Sequence, residues 1–304
     1  MHEDAPPLRV WVFPVLAIAI ILISFFSFTY SAYGPYANVI KRSNENLEAS
    51  LAALTRDTTA ISIVILGSSM TEDAIENPQA VEKGIFEKTN KKVNVLRVAL
   101  YHMNMDIAKR IDFFKIIRKF PPQYLFIENF GMNLNAGNLD ELMPIPVDAS
   151  LLHLRNEVRQ KIGASSHDNY YTKWYTFDTK PLPDFYSNAF DSTTFKFMKE
   201  KKMVVRKPTQ NEIANDAYEA LRNKTRIIFL DFPQSDKLER NFLDNNAAAE
   251  FQKVVDYYQK QYDIQYWPYT GSMSDSCFID GVHLNYKGSK KYQEWFVSEF
   301  AAKR

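Results

Sequence analysis

Twenty-one consecutive residues without a charge, Val10 to Tyr30, set the first constraint on this chain. At about 1.5 Å per residue, a helix of that length spans roughly 30 Å, the hydrocarbon thickness of a bilayer. Trp11 and Tyr30 stand at its ends, where interfacial aromatics sit. Pro14 falls near the first turn, where a missing N–H costs little. The run is long for a signal-peptide core, and no A-x-A cleavage site follows it. The expectation is an uncleaved single-pass anchor at 10–30, after a tail at 1–9 and before a polar, helical stalk at 31–60. Arg9 precedes the span, and Lys41 and Arg42 follow it, so charge does not set the orientation.

Beyond the stalk the pattern changes to short apolar runs separated by amphipathic stretches. Ile61–Leu66 (ISIVIL) reads as a strand buried on both faces. Lys92–Leu100, Gln123–Glu128, Arg226–Leu230 and Ile264–Trp267 read as four more strands. Helices are predicted over Glu72–Thr89, Asp106–Phe120, most of Ser235–Tyr262, and Tyr286–Ala302; Pro121 and Pro122 stop the second. Strand–helix alternation of this kind predicts an α/β fold, a parallel sheet with helices on both faces. Gly137–Pro208 breaks the rhythm with prolines and many aromatics, Trp174, Tyr171 and Tyr175 among them. It reads as an insertion that leaves at the carboxyl edge of the sheet and folds over the cleft. Residues 61–304 then form one catalytic domain carrying the insertion at 137–208.

Composition narrows the function classes. Lys and Arg number 37 against 36 Asp and Glu, so no basic excess points to nucleic acid. Cys277 is the only cysteine, which excludes an intrachain disulfide framework and a multi-cysteine zinc site.

Three short motifs fall at the carboxyl ends of predicted strands, where open α/β sheets bind ligands. Gly67-Ser68-Ser69 follows the first strand; a glycine there permits a tight strand-to-helix turn that presents a hydroxyl at the sheet edge. In such a turn Ser69 is the residue presented, and Ser68 is expected to point toward the neighbouring loop. The bland alternative is a serine N-cap. Gly131-Met132-Asn133 follows the third strand and offers an amide to a developing oxyanion, or simply an asparagine turn. Asp280-Gly281-Val282-His283 follows the fifth, with a carboxylate three residues from an imidazole. That spacing can hold a histidine in the tautomer a general base needs; a solvated loop is the alternative.

Taken together, Ser69, Gly131 with Asn133, and Asp280 with His283 resemble the SGNH (GDSL-like) hydrolase superfamily in identity and order. The likeness covers about Ile61 to Phe300 outside the insertion. It implies a flavodoxin-like parallel sheet sandwiched by helices. It also implies Ser69 as nucleophile, His283 as base and Asp280 as its orienter, with Asn133 and the Ser69 N–H in the oxyanion hole. Ser68 stands where the family's first block has Asp. No glycine follows the second strand, which leaves a main-chain N–H near Tyr101 as the remaining oxyanion donor. The Gly-Ser-Ser form resembles the family's membrane-anchored branch, which includes the D-alanyl-lipoteichoic acid transfer protein and the alginate O-acetylation proteins. By that resemblance the chain is expected to be a serine O-acyltransferase or esterase outside the cytoplasm of a bacterium. A surface polysaccharide or cell-wall glycan would be its acceptor, and a multi-spanning membrane acyltransferase its partner. No metal or organic cofactor is implied. Trp174 is expected to line the acceptor groove. The alternative is an anchored accessory subunit without turnover.

Overall fold

The computed structural model describes residues 8–100, 103–129, 134–135, 204–205, 207–235 and 245–304. The chain divides into two compact units, Met1–Lys41 with Asn138–Lys173 and Arg42–Gly137 with Trp174–Arg304.

The second unit is built on a parallel five-stranded sheet. Its strands are β1 (Ile61–Gly67), β2 (Val93–Ala99), β3 (Tyr124–Glu128), β6 (Arg226–Leu230) and β7 (Gln265–Trp267). Between β3 and β6 in the chain lies a separate antiparallel pair, β4 (Leu134–Asn135) with β5 (Val204–Val205). The sheet order is β2-β1-β3-β6-β7, and every neighbouring pair is parallel. The order reverses between β1 and β3, and the crevice at such a switch point opens at the strands' carboxyl ends. The α/β fold expected from strand–helix alternation is therefore the one observed, in the flavodoxin-like order.

Both faces of the sheet are apolar because β1, β3 and β6 have no polar side to give to water; from Ser62 to Gly67, β1 is buried throughout. Side chains alternate between faces. Ile63, Ile65, Phe126 and Ile228 share one core with α3 (Pro78–Thr89) and α8 (Tyr286–Lys303). Phe126 meets Trp267 and Phe296 edge-on at 5.1 and 5.0 Å. The opposite face carries Phe229, edge-on to Tyr218 of α6 (Glu212–Leu221) at 5.7 Å and to Tyr258 of α7 (Asn245–Tyr262) at 5.6 Å.

The predicted helix Glu72–Thr89 is in fact two, α2 (Ser69–Ala74) and α3. Asn77 caps α3 through Ala80 N–H, and Pro78 occupies its first turn, so the backbone restarts there. Buried Arg97 of β2 fastens the end of α2, donating from Nη1 to the carbonyls of Ile75 at 2.7 Å and Glu76 at 3.0 Å. The predicted helix Asp106–Phe120 also divides, into α4 (Met105–Arg110) and α5 (Phe113–Lys119). Asp112 between them adopts the left-handed conformation at φ 55°.

At the amino end, α1 runs Leu8–Arg56. Its last turns are not a free stalk. Leu47, Leu51 and Leu54 are buried at i, i+4 and i+7, and Lys119 pairs with Glu48 at 3.0 Å. Among the described residues, no helix is long and apolar enough to cross a membrane. The described side chains of the apolar run end at Phe25, and the rest of the expected span Val10–Tyr30 lies outside them.

Candidate active site

Two adjacent serines divide the work of the turn after β1. Ser68 is the N-cap of α2, with extended backbone and a hydroxyl that accepts Met70 N–H at 3.2 Å. Ser69 opens the helix and is half-buried; its Oγ lies 2.9 Å from His283 Nε2. Ser68 does not point to a neighbouring loop. It turns down to the end of β3, where its Oγ donates to the fully buried Glu128 carboxylate at 2.7 Å and its N–H does so at 2.7 Å. Thr71 Oγ1 donates to the same carboxylate at 2.7 Å.

Gly67 makes this convergence possible. A Cβ on that residue would overlap Thr71 Oγ1 and lie 2.7 Å from Glu128 Cβ. Gly67→Ala should therefore force the turn apart, with a stability loss of about 1–3 kcal/mol and a loss of any Ser69-dependent activity. Thermal melting beside turnover checks it; a melting point and rate equal to wild type would contradict it.

The histidine arrives on a tight loop. Ile279 N–H donates to His283 O at 2.8 Å, and Phe278 and Leu284 bridge below it, both buried. Gly281 at the loop's apex has φ 90°, a conformation that favours glycine, and its carbonyl accepts Ser235 N–H at 2.8 Å. Asn285 then caps α8 by accepting from Lys287 and Gly288 N–H.

Within the loop, each carboxylate oxygen of Asp280 has its own task. Oδ1 accepts the backbone N–H groups of Val282 at 3.1 Å and His283 at 2.9 Å. Oδ2 lies 2.7 Å from His283 Nδ1. A carboxylate only accepts, so Nδ1 carries the proton and Nε2 of the neutral ring is left to accept from Ser69. Burial works to raise the Asp280 carboxyl, but the bonds from the His283 ring and the two backbone groups hold it below its ordinary value. Burial likewise works to lower His283. The bond and charge of Asp280, helped by Asp73 and Glu128, outweigh it, and the imidazole titrates above its ordinary 6.5. The ring keeps 22% of its side-chain surface exposed, enough to meet a substrate, whereas Asp280 keeps 6%.

The structure thus brings together Ser69, His283 and Asp280 at the switch point of the sheet. Gly131, Asn133, Tyr101 and Trp174 lie outside the described residues, as does most of the insertion 137–208. Glu128 is the residue that sequence reasoning passed over. Its only signal was an acid at the end of an otherwise apolar strand. A hydroxyl bonded to an imidazole that is bonded to a buried carboxylate can give up its proton while attacking a carbonyl carbon.

No family model and no curated protein matches the chain. Among solved structures, the chain is similar to a protein described as lipolytic, of the G-D-S-L family, from Desulfitobacterium hafniense DCB-2. The identity is 11% and the TM-score 0.39, over 78% of this chain and 97% of that one. It is also similar to the lipase Lip_vut3 from a goat rumen metagenome, at 12% identity and a TM-score of 0.38, over 79% and 96% of the two chains. At these TM-scores neither likeness bears on what the chain does.

Proposed function

We propose that the chain is a serine acyl-transfer enzyme, an O-acyltransferase or esterase, with Ser69 as nucleophile, His283 as general base and Asp280 as its orienter. The observation that carries this is the continuous pair of bonds from Ser69 Oγ to His283 Nε2 and from His283 Nδ1 to Asp280. In the first half-reaction Ser69 Oγ bonds to the acyl carbon while its proton passes to Nε2. The ester C–O bond then breaks, and the same proton goes to the departing alcohol. In the second half, water or an acceptor hydroxyl attacks the acyl-serine, its proton passes to Nε2, and Ser69 recovers it. Ser69 N–H, at the start of α2, and the expected donors Asn133 and the main chain at Tyr101 would hold the oxyanion.

The proposal extends to place and substrate. Eleven large apolar side chains between Val10 and Ile23 are exposed, from 40% at Val12 to 71% at Phe13. They point to every side of the helix, and a helix apolar all round belongs in an apolar medium. We place Val10–Tyr30 in a membrane as a single anchor, with the catalytic unit outside the cytoplasm and a surface glycan as acceptor. Full-length protein should stay with the membrane after a carbonate wash, because about 20 buried apolar residues greatly exceed a surface attachment. Recovery in the wash supernatant would overturn the anchor. Product analysis with an activated ester, with and without an acceptor glycan, separates the two activities: acylated glycan marks a transferase, and free acid in both arms marks an esterase. Release of neither product would favour the accessory-subunit alternative.

A further inference from the structure

We propose that Glu128 is a positioning residue for the Ser69–His283 couple: from the end of β3, its carboxylate clamps the Ser68–Thr71 turn and fixes where Ser69 Oγ meets the imidazole. The inference rests on the acyl-transfer reading of Ser69. Three donors converge on this one group, Ser68 N–H, Ser68 Oγ and Thr71 Oγ1, the last two at 2.7 Å. They flank the nucleophile at the preceding residue and two residues on. The backbone on both sides of Ser69 is therefore tied to the end of an interior strand, which pairs with β1 and β6. Glu128, Ser68 and Thr71 are all buried, so the clamp is shielded from water.

A buried carboxylate is costly to desolvate, and a turn that needed only capping already has it from Ser68 to Met70 N–H. The turn itself carries Ser68, and the acid that holds it comes from the neighbouring strand. The groups that act on His283 are Asp280 from its own loop, Asp73 from α2 and Glu128 from β3, with the Ser69 hydroxyl on Nε2. All three carboxylates favour the imidazolium that forms as Ser69 loses its proton.

Glu128→Gln separates the clamp from the charge. With its amide oxygen in the place of Oε2, Gln still accepts from Ser68 N–H and Thr71. Its Nε2, in the place of Oε1, donates to Ser68 Oγ. The bonds persist and the charge goes. Glu128→Asp keeps the charge and draws it back by one methylene. The experiment follows His283 by NMR titration of the full-length chain in detergent, labelled with ¹³C at the histidine rings and assigned with His283→Gln. It is run without substrate, alongside melting temperature, kcat and KM on a small aryl ester. In Glu128→Gln, melting should match wild type and the His283 midpoint should fall. Glu128→Asp, which draws the acceptors away from Ser68 and Thr71, should lower kcat about ten- to a hundredfold with KM within about twofold. Glu128→Gln, which keeps the clamp, should retain most of the rate. A kcat in Glu128→Asp equal to wild type, an equal rate loss in both variants, or a loss that merely tracks lost melting temperature, would overturn the proposal. If the wild-type chain turned over no ester, the acyl-transfer reading would fall. The titration would still decide whether Glu128 acts on the imidazole.

Discussion

Ser69→Ala is expected to lower turnover of an activated ester by about four to six orders of magnitude and to abolish covalent labelling by a fluorophosphonate. The expectation follows from position. Ser69 alone of the two serines meets the imidazole, at 2.9 Å. Ser68 is buried, engaged as the cap of α2 and bonded to Glu128. Ser68→Ala removes a cap worth about 1 kcal/mol and one donor from the clamp, so it should slow labelling without stopping it. Labelling kept in Ser69→Ala and lost in Ser68→Ala would reverse the two roles.

The next largest effect belongs to Asp280→Asn, at about 10⁴ in kcat. The amide oxygen can go on accepting Val282 and His283 N–H, as Oδ1 does now. Its nitrogen then faces His283 Nδ1 as a donor. The ring must accept there and carry its proton on Nε2, where it can no longer take one from Ser69. The same change removes the main force raising the imidazole. Wild-type kcat/KM should rise with pH through a midpoint above 6.5, as His283 loses its proton, and residual activity in Asp280→Asn should show a lower midpoint. Stability carries the same signature. His283, raised in the fold, contributes fully below 6.5 and loses its contribution as pH climbs through the folded value. Asp280, lowered in the fold, contributes above 3.8 and loses it as pH falls through its folded value. The melting deficit of Asp280→Asn should therefore be greatest between those two pH values and shrink on either side. A deficit that does not vary with pH would mean that the pair is not coupled as its geometry implies.

Much of the frame was legible because β-branched, uncharged runs such as ISIVIL have few places to go except a strand buried on both faces. Ser69 was legible because it directly follows a strand, and Asp280 and His283 because a carboxylate stands three residues from an imidazole just before the last helix, on the loop after the last strand. The helix breaks were harder. Asn77-Pro78 restarts the backbone inside what reads as one helix, and the left-handed Asp112 between α4 and α5 looked like any surface acid. The leucines at 47, 51 and 54 were hidden by the charges around them. Glu128 was illegible for a deeper reason: its partners lie 57 and 60 residues away, and only the β1–β3 pairing brings them together.

The central claim is that Ser69 forms the acyl-enzyme. Its most direct measurement is peptide mapping by mass spectrometry of the full-length chain after reaction with a fluorophosphonate, at pH values above and below the His283 midpoint. One adduct per chain is expected, on Ser69, forming faster at the higher pH and absent from His283→Gln. An adduct on Ser68 or any other residue, or no adduct on a folded wild-type chain, would contradict it.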